Sequence, residues 1–208
     1  MIRRLILAGI ISAVTTFVGA LSVRASGVVL AVGCVAAVTV LATWLCSLHS
    51  TDEESGLALA NPAWALGLTL TRRFNAAFLI PVTAAQIIGA VIAGAAALGL
   101  QTSLPDQMIW SHPSYSAAVA IAIVLGILGI WILFGVDQQL GEPYAAIGPL
   151  LAGGVLPVGL ASALNPAVVL GMAIAGIINW PVSVLVICSV FAGTIAGTLL
   201  GPAISPPE

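Results

Sequence analysis

One short motif occurs twice in this chain, and both copies lie inside apolar sequence. The run Asn-Pro-Ala-x-x-Leu-Gly occupies residues 61–67 and again residues 165–171. Asn is a preferred N-cap residue and Pro is favoured at the first helical position, so each copy predicts the start of a helix. A helix that begins inside a membrane leaves backbone N–H groups without intrahelical partners, and hydrocarbon cannot satisfy them. The doubled motif therefore predicts two buried helix starts that face protein or a water-filled cavity.

The rest of the sequence has the composition of an integral membrane protein. Of its 208 residues, 61% are hydrophobic and 6% are charged, against about 25% charged residues in soluble proteins. This length allows one compact bundle of helices, each of about 20 apolar residues. No nucleophile, acidic pair or metal-ligand spacing stands out in the sequence. We therefore expect no enzyme activity, no cofactor, no bound metal and no nucleic-acid partner. The expected partner is the lipid bilayer itself.

Six long apolar segments and two shorter ones alternate along the chain. The long segments are Leu5–Val23, Gly27–Leu48, Ala77–Leu100, Tyr115–Val136, Tyr144–Leu160 and Trp180–Leu200. The short ones, Leu57–Leu70 and Leu164–Ile178, each contain one motif and suit a re-entrant half-helix. Three spans and a half-helix thus occur twice, which predicts inverted repeats, 1–104 and 105–208, in a single transmembrane domain. Because half-helices of inverted repeats meet near the midplane, we expect Asn61 and Asn165 to face each other.

The few charged residues predict the orientation in the membrane. The chain contains no Lys, and its five Arg are Arg3, Arg4, Arg24, Arg72 and Arg73. An excess of Arg marks cytoplasmic flanks, so the two Arg pairs predict cytoplasmic N- and C-termini, with Arg24 on the opposite side. The five Trp are typical of membrane-interface anchors or span ends. We expect a multi-pass protein of the plasma membrane.

With these features the chain resembles the major intrinsic protein family, the aquaporins and aquaglyceroporins. The resemblance is carried by Asn61-Pro62-Ala63 and Asn165-Pro166-Ala167, each with Leu-Gly following, and by the runs 27–33, 85–90, 146–148 and 193–197. It implies an all-α membrane protein with six transmembrane helices and two re-entrant half-helices. It also implies a homotetramer with one pore per subunit. The implied function is passive conduction of water or small uncharged solutes, such as glycerol, urea, ammonia or hydrogen peroxide.

The two helix starts also indicate which solutes such a pore would admit. Each half-helix N-terminus is equivalent to roughly +0.5 charge, so the two together disfavour cations at the midplane. Each Asn caps its helix with its side-chain oxygen, and we expect the amide NH₂ to donate into the lumen. The two motifs therefore favour neutral solutes.

The chain departs from the family pattern at the positions that set selectivity and brace the loops. The family's constriction, which usually contains an aromatic and an Arg, maps to Val32, Ala152, Ser162 and Val168. None of these residues is charged or aromatic, so we expect a wider and more apolar constriction. Two bracing Glu of the family map to about Ser12 and Ala122. The loop carbonyls would then need other partners, and Ser12, Thr15, Thr16, Gln86 or ordered water are candidates.

The role of one acidic loop is undecided, and two other functions are possible for the chain. The loop of residues 47–55 contains His49 beside Asp52-Glu53-Glu54, and histidine can act as a pH switch, so His49 is a possible gate. The alternative is a solvated charged loop. Instead of a channel for neutral solutes, the chain could be a non-conducting aquaporin-like subunit with a structural or partner role. Without the Arg, it could also leak ions or protons.

Overall fold

The chain is all-helical over the part that is described. The computed structural model describes residues 2–100, 114–137, 141–155 and 165–204, without the side chains of residues 24–30, 152–155 and 202–204. The helices are α1 (Ile2–Ser47), α2 (Pro62–Leu70), α3 (Ala76–Gly99), α4 (Tyr115–Gly135), α5 (Ile147–Val155), α6 (Pro166–Ile174) and α7 (Trp180–Ile204), with short 3₁₀ helices at Gly56–Leu59 and Glu142–Ala146.

Among the described residues, four helical segments are long and apolar enough to cross a membrane. They are Ile2–Val23, Ala76–Gly99, Tyr115–Gly135 and Trp180–Gly201, and Ala31–Ser47 is a shorter apolar helix. The predicted half-helix segments contain α2 and α6. The predicted fifth span contains α5, and its residues 156–160 lie outside the described part.

Helix α1 folds back on itself, although its helical backbone is unbroken. A straight helix of 46 residues would be roughly 69 Å long. Instead, Arg4 near its start donates to the backbone oxygen of His49, just past its end, at 3.1 Å. A Cβ on Gly19 would lie 3.2 Å from the side chain of Val35. The chain therefore reverses between Gly19 and Val35, and α1 consists of a first arm (Ile2–Val23) and an antiparallel second arm (Ala31–Ser47).

Several polar contacts collect at one end of the bundle, which we call the polar end. Arg4 Nη1 lies 2.6 Å from Glu54, and Arg73 Nη1 lies 2.6 Å from Asp137. The hydroxyls of Ser47 and Ser55 donate to Glu142 at 2.9 Å and to Asp137 at 2.8 Å. The polar end thus consists of Arg4, Ser47, Glu54, Ser55, Arg73, Asp137 and Glu142. It joins the start of α1, the end of its second arm and the end of α4.

The segment that contains α2 leaves the polar end and returns to it. The backbone N–H of Ser55 donates to the carbonyl of Arg73 at 2.8 Å, so both ends of the segment are adjacent. Helix α2 has nine residues and is therefore only about 13.5 Å long, less than half of a hydrocarbon core of about 30 Å. This segment is therefore a hairpin whose two ends lie at the polar end, and its helix is too short to cross a hydrocarbon core.

Helices α2 and α6 end in the same way. Arg72 after α2 and Gly176 after α6 both have positive φ, 62° and 73°. In each case the next backbone N–H reaches back to the helix, from Arg73 to Leu68 at 2.8 Å and from Ile177 to Met172 at 2.9 Å. This is the left-handed helix cap, which Gly adopts without strain. Arg72 adopts it at a steric cost of about 1 kcal/mol. The same helix end therefore forms after α2, although Arg does not favour this conformation.

Two helix crossings of the same kind hold the long helices together. A Cβ on Gly89 of α3 would collide with the carbonyl of Gly9 in α1. Gly193 of α7 lies equally close to α4, where a Cβ would be 3.0 Å from the Cα of Gly126. Gly89 and Gly193 are 104 residues apart, as are Asn61 and Asn165. The pair α1 and α3 is thus the structural counterpart of the pair α4 and α7, and both pack closely through small residues.

Substitution at one crossing should destabilise the bundle. Gly89→Ala should lower the free energy of unfolding by about 1–3 kcal/mol, the usual cost of forcing atoms into a packed core. Thermal unfolding in detergent, followed by circular dichroism, measures it. Gly33→Ala is the matched control, because a Cβ there meets nothing within 4 Å and Ala favours helix over Gly. Equal effects of the two substitutions would contradict the crossing at Gly89.

Candidate functional site

Asn61 begins α2 as the sequence predicts. Its backbone is extended, with φ −158° and ψ 129°, and its side-chain oxygen accepts from the N–H of Ala63 at 2.8 Å. Pro62 occupies the first helical position, where the missing N–H removes one group that would lack a partner. The backbone oxygen of Asn61 accepts the first intrahelical bond, from Ala65 at 2.9 Å. Asn61 is 4% exposed, so this helix start is buried.

Asn165 begins α6 in the same manner and also joins the two motifs. Its side-chain oxygen accepts from Ala167 at 3.2 Å and from Val168 at 3.4 Å. Its amide Nδ2 donates to the carbonyl of Ala60 at 3.1 Å. Because Ala60 directly precedes Asn61, this hydrogen bond brings the starts of α2 and α6 together. Two motifs that are 104 residues apart in sequence thus meet in the middle of the bundle.

A cavity lies where the two helix starts meet. It is lined by elements of both repeats, namely by Thr15, Val35, Thr39, Ala42, Ala60, Asn61, Trp64, Gly129, Ile132, Ala145, Gly148, Pro149 and Asn165. The volume open to water-sized molecules is about 40 Å³, and one water needs at least about 10–15 Å³, so a few waters fit. None of the residues named as its lining is charged. The cavity is mostly apolar, with amide and hydroxyl groups at a few points.

The polar groups of the lining offer both donors and acceptors. Thr15 and Thr39 donate their hydroxyl hydrogens to carbonyls of their own helix at 2.8 Å, and the hydroxyl oxygens can still accept. The amide of Asn165 has two N–H groups, and Ala60 accepts one hydrogen bond from it. The cavity can therefore bind a small molecule that both donates and accepts hydrogen bonds.

The loop before the first motif is braced by Gln86. Its side-chain Nε2 donates to the carbonyl of Ala58 at 3.1 Å, and the side chain is fully buried. This confirms Gln86 as one of the predicted alternative braces. Thr15 instead bonds within its own helix, and the hydroxyls of Ser12 and Thr16 have no hydrogen-bond partner among the described residues. The loop before the second motif lies outside the described residues.

The structure places the four predicted constriction residues apart from this cavity or leaves them undescribed. Val168 is fully buried in an apolar cluster with Val169 and Met172. Val32 is partly buried in the second arm of α1, whereas Val35, Thr39 and Ala42 of that arm line the cavity. The side chain of Ala152, in α5, and the whole of Ser162 lie outside the described part. A constriction at these four positions therefore stays a prediction.

The sequence did not predict most residues of the lining, and Trp64 is the largest of those that it missed. Trp64 was assigned to the interface anchors, yet it is only 5% exposed and lines the cavity beside Asn61. Its position could have indicated this, since it lies in the first turn of a helix whose start faces a cavity. Trp44 and Trp180 are about half exposed, as an anchor in the membrane interface would be.

His49 lies in the loop after α1, next to the polar end. Its Nδ1 is 3.1 Å from the carbonyl of Leu45, and its own backbone oxygen accepts from Arg4. Glu54 contacts the same Arg4. The loop is thus tied to the start of α1, and a gating role of His49 stays a prediction.

Comparison with known proteins adds no family to these observations. No protein-family model matches the chain, and no curated protein matches it. Any function must therefore be argued from the motifs and from the geometry of the cavity.

Loss of the Gln86 brace should destabilise the protein. Gln86→Met keeps a long unbranched side chain but removes the donor, which leaves the buried carbonyl of Ala58 without this partner. We expect the free energy of unfolding to fall by about 1–3 kcal/mol, as measured by thermal unfolding in detergent. Ile88→Met, at a residue of the same helix that is 59% exposed, is the control and should have little effect. If Gln86→Met leaves the free energy of unfolding unchanged, the loop has another brace.

Proposed function

We propose that this protein is a passive membrane channel for water and small uncharged solutes, of the aquaporin-like architecture that its motifs resemble. In this proposal the six spans are the two arms of α1, together with α3, α4, the segment that begins with α5, and α7. Helices α2 and α6 are the two half-helices. Their starts, at Asn61-Pro62-Ala63 and Asn165-Pro166-Ala167, form the middle of the pore.

The observation that carries the proposal is the cavity between the two capped helix starts. Asn61 and Asn165 both line it, and both cap a nine-residue helix. Buried helix starts are costly in an apolar bundle unless protein groups, water or a solute satisfy them, and each Asn side chain satisfies only part of its helix start. A cavity with room for a few waters at this point gives water access to the rest. Its lining comes from α1, α2, α4, α5 and α6, as a pore that runs through the bundle would require.

Electrostatics favour neutral solutes. Both half-helices point their positive ends toward the cavity, each equivalent to roughly +0.5 charge. None of the described residues that line it is acidic, so nothing among them would offset this potential for a cation. A neutral solute that accepts from the amide of Asn165 and donates to a threonine oxygen suits the lining.

The remaining features of the proposal concern location and assembly. Arg4 and Arg73 both contact acidic partners at the polar end, and by the excess of Arg on cytoplasmic flanks we assign this end to the cytoplasm. Both chain termini would then be cytoplasmic, in a multi-pass protein of the plasma membrane. The homotetramer is taken from the family resemblance alone.

One observation favours the second candidate, a non-conducting subunit. The Asn165 amide donates across the meeting point of the helices to Ala60, and the large side chain of Trp64 occupies the same place. If these contacts close the cavity permanently, the fold would act in packing or as a partner subunit. Permeability measurements separate this candidate from the channel.

The first test is water permeability. Proteoliposomes exposed to an osmotic gradient in a stopped-flow instrument should shrink several times faster than empty vesicles, because a pore replaces diffusion through lipid. Replacement of the impermeant osmolyte by glycerol, urea or another neutral solute measures the solute range. Rates equal to those of empty vesicles for water and every solute would reject the channel and favour the non-conducting subunit.

A second test introduces a charge at one helix start. Asn61→Asp keeps the capping oxygen but places a carboxylate at the midplane, where a charge costs about 2.5–3.5 kcal/mol unless it binds a proton or cation. We expect proton or cation leakage to rise, as measured by a pH-sensitive dye in vesicles.

The matched control for this test is Asn75→Asp. Asn75 caps α3 through the same bond pattern, from the N–H of Ala77 at 3.0 Å, but it is exposed near the polar end. Asn75→Asp should leave leakage unchanged. Equal leakage of both variants in a protein that conducts water would mean that Asn61 does not face the pore.

A further inference from the structure

Trp64 lies buried at the start of α2, beside the cavity. It is the third residue of the helix, and it lines the cavity together with Asn61 and Asn165. The side chain is 5% exposed, so the indole is enclosed by protein at the point where the two half-helices meet. It has the largest side chain among the residues that line the cavity.

The equivalent residue of the second repeat is placed differently. Val168 follows Trp64 by 104 residues and holds the same position in its helix. It is fully buried among Val169 and Met172 and is not among the described residues that line the cavity. A small apolar residue is therefore enough to build this helix start, and the fold does not require an indole at this position.

The indole N–H also does not stabilise the bundle through a hydrogen bond to a described residue. Among the described residues, Trp64 Nε1 is buried and has no hydrogen-bond partner. Buried Trp N–H groups usually have a partner, because a buried donor without one is unfavourable. A Trp selected only for stability at this place would be expected to find one, and Val at the equivalent position of α6 avoids the problem. A role in the cavity accounts for the Trp better than packing does.

We propose that Trp64 is the residue that sets the size limit of the pore, at the motif itself. This inference rests on the proposed channel function. The small size of the cavity, about 40 Å³, points to the solute class: water and neutral molecules not much larger pass the indole, and polyols such as glycerol are excluded.

Permeability of the wild-type protein and of three variants in proteoliposomes tests the inference. Trp64→Val copies the equivalent residue of α6, and Trp64→Phe keeps an aromatic ring but removes the N–H. Trp44→Val is the matched control, because Trp44 is 49% exposed on the second arm of α1 and does not line the cavity. Each sample is measured for water and for glycerol, and folding is verified by gel filtration and circular dichroism.

The ratio of glycerol to water permeability is the deciding quantity. It should be low for wild type, Trp64→Phe and Trp44→Val, and should rise about ten-fold in Trp64→Val, the lower range of discrimination that a change in pocket size produces. A folded Trp64→Val with the wild-type ratio overturns the inference. So does a wild-type protein that conducts glycerol as fast as water, a result that needs no variant.

Failure of the inference differs from failure of the channel itself. If wild-type vesicles behave as empty vesicles for both solutes, the proposed function fails, and with it the role of Trp64. If wild-type vesicles conduct water but the ratio does not respond to Trp64→Val, the channel stands and the size limit lies elsewhere.

Discussion

The structure depends on the capping of two helix starts in the interior of an apolar bundle. Each start exposes backbone N–H groups that hydrocarbon cannot satisfy. The side-chain oxygens of Asn61 and Asn165 accept from these groups at 2.8–3.4 Å, and Pro at the following position removes one donor from each. Asn165 then donates to Ala60, which joins the two starts. Capping thus creates a small polar site in a protein of which only 6% of the residues are charged.

The caps can meet only because the long helices approach each other and the half-helices closely. Gly89 packs on Gly9 and Gly193 on Gly126, with no room for a Cβ. At the half-helices, Gly171 fits against Ala90, where a Cβ would lie 2.7 Å from the carbonyl oxygen. Small residues therefore allow α2 and α6, of nine residues each, to be enclosed by long helices that pack closely.

The sequence predicted what depends on local chemistry, and missed what depends on tertiary contacts. The caps at Asn61 and Asn165 follow from residue type and order, and long apolar runs marked the candidate spans. The reversal of α1 agrees with the sequence prediction, which divides Leu5–Val23 from Gly27–Leu48 as separate spans, but the continuous helical backbone across the reversal was not predicted. The sequence also did not predict that Val35 and Thr39 line the cavity or that Trp64 is buried. These facts depend on the rotation of each helix against its neighbours. Hydrophobic periodicity does not specify this rotation when all faces of a helix are apolar.

In the proposed channel the two repeats share a scaffold, and its selectivity would depend on side chains that differ between them. Several residues that build the scaffold agree at a spacing of 104: Asn61 with Asn165, Gly67 with Gly171, and Gly89 with Gly193. Other buried positions differ: Trp64 corresponds to Val168, Gln86 to Val190, which is 1% exposed in the apolar core, and Ala90 to the larger and more polar Thr194. The larger residue is therefore not always in the first repeat, but of the pair Trp64 and Val168 only Trp64 is among the described residues that line the cavity. Symmetry therefore places two helix starts at one cavity, and the departure from symmetry at Trp64 would give the proposed channel a side chain there that discriminates between solutes.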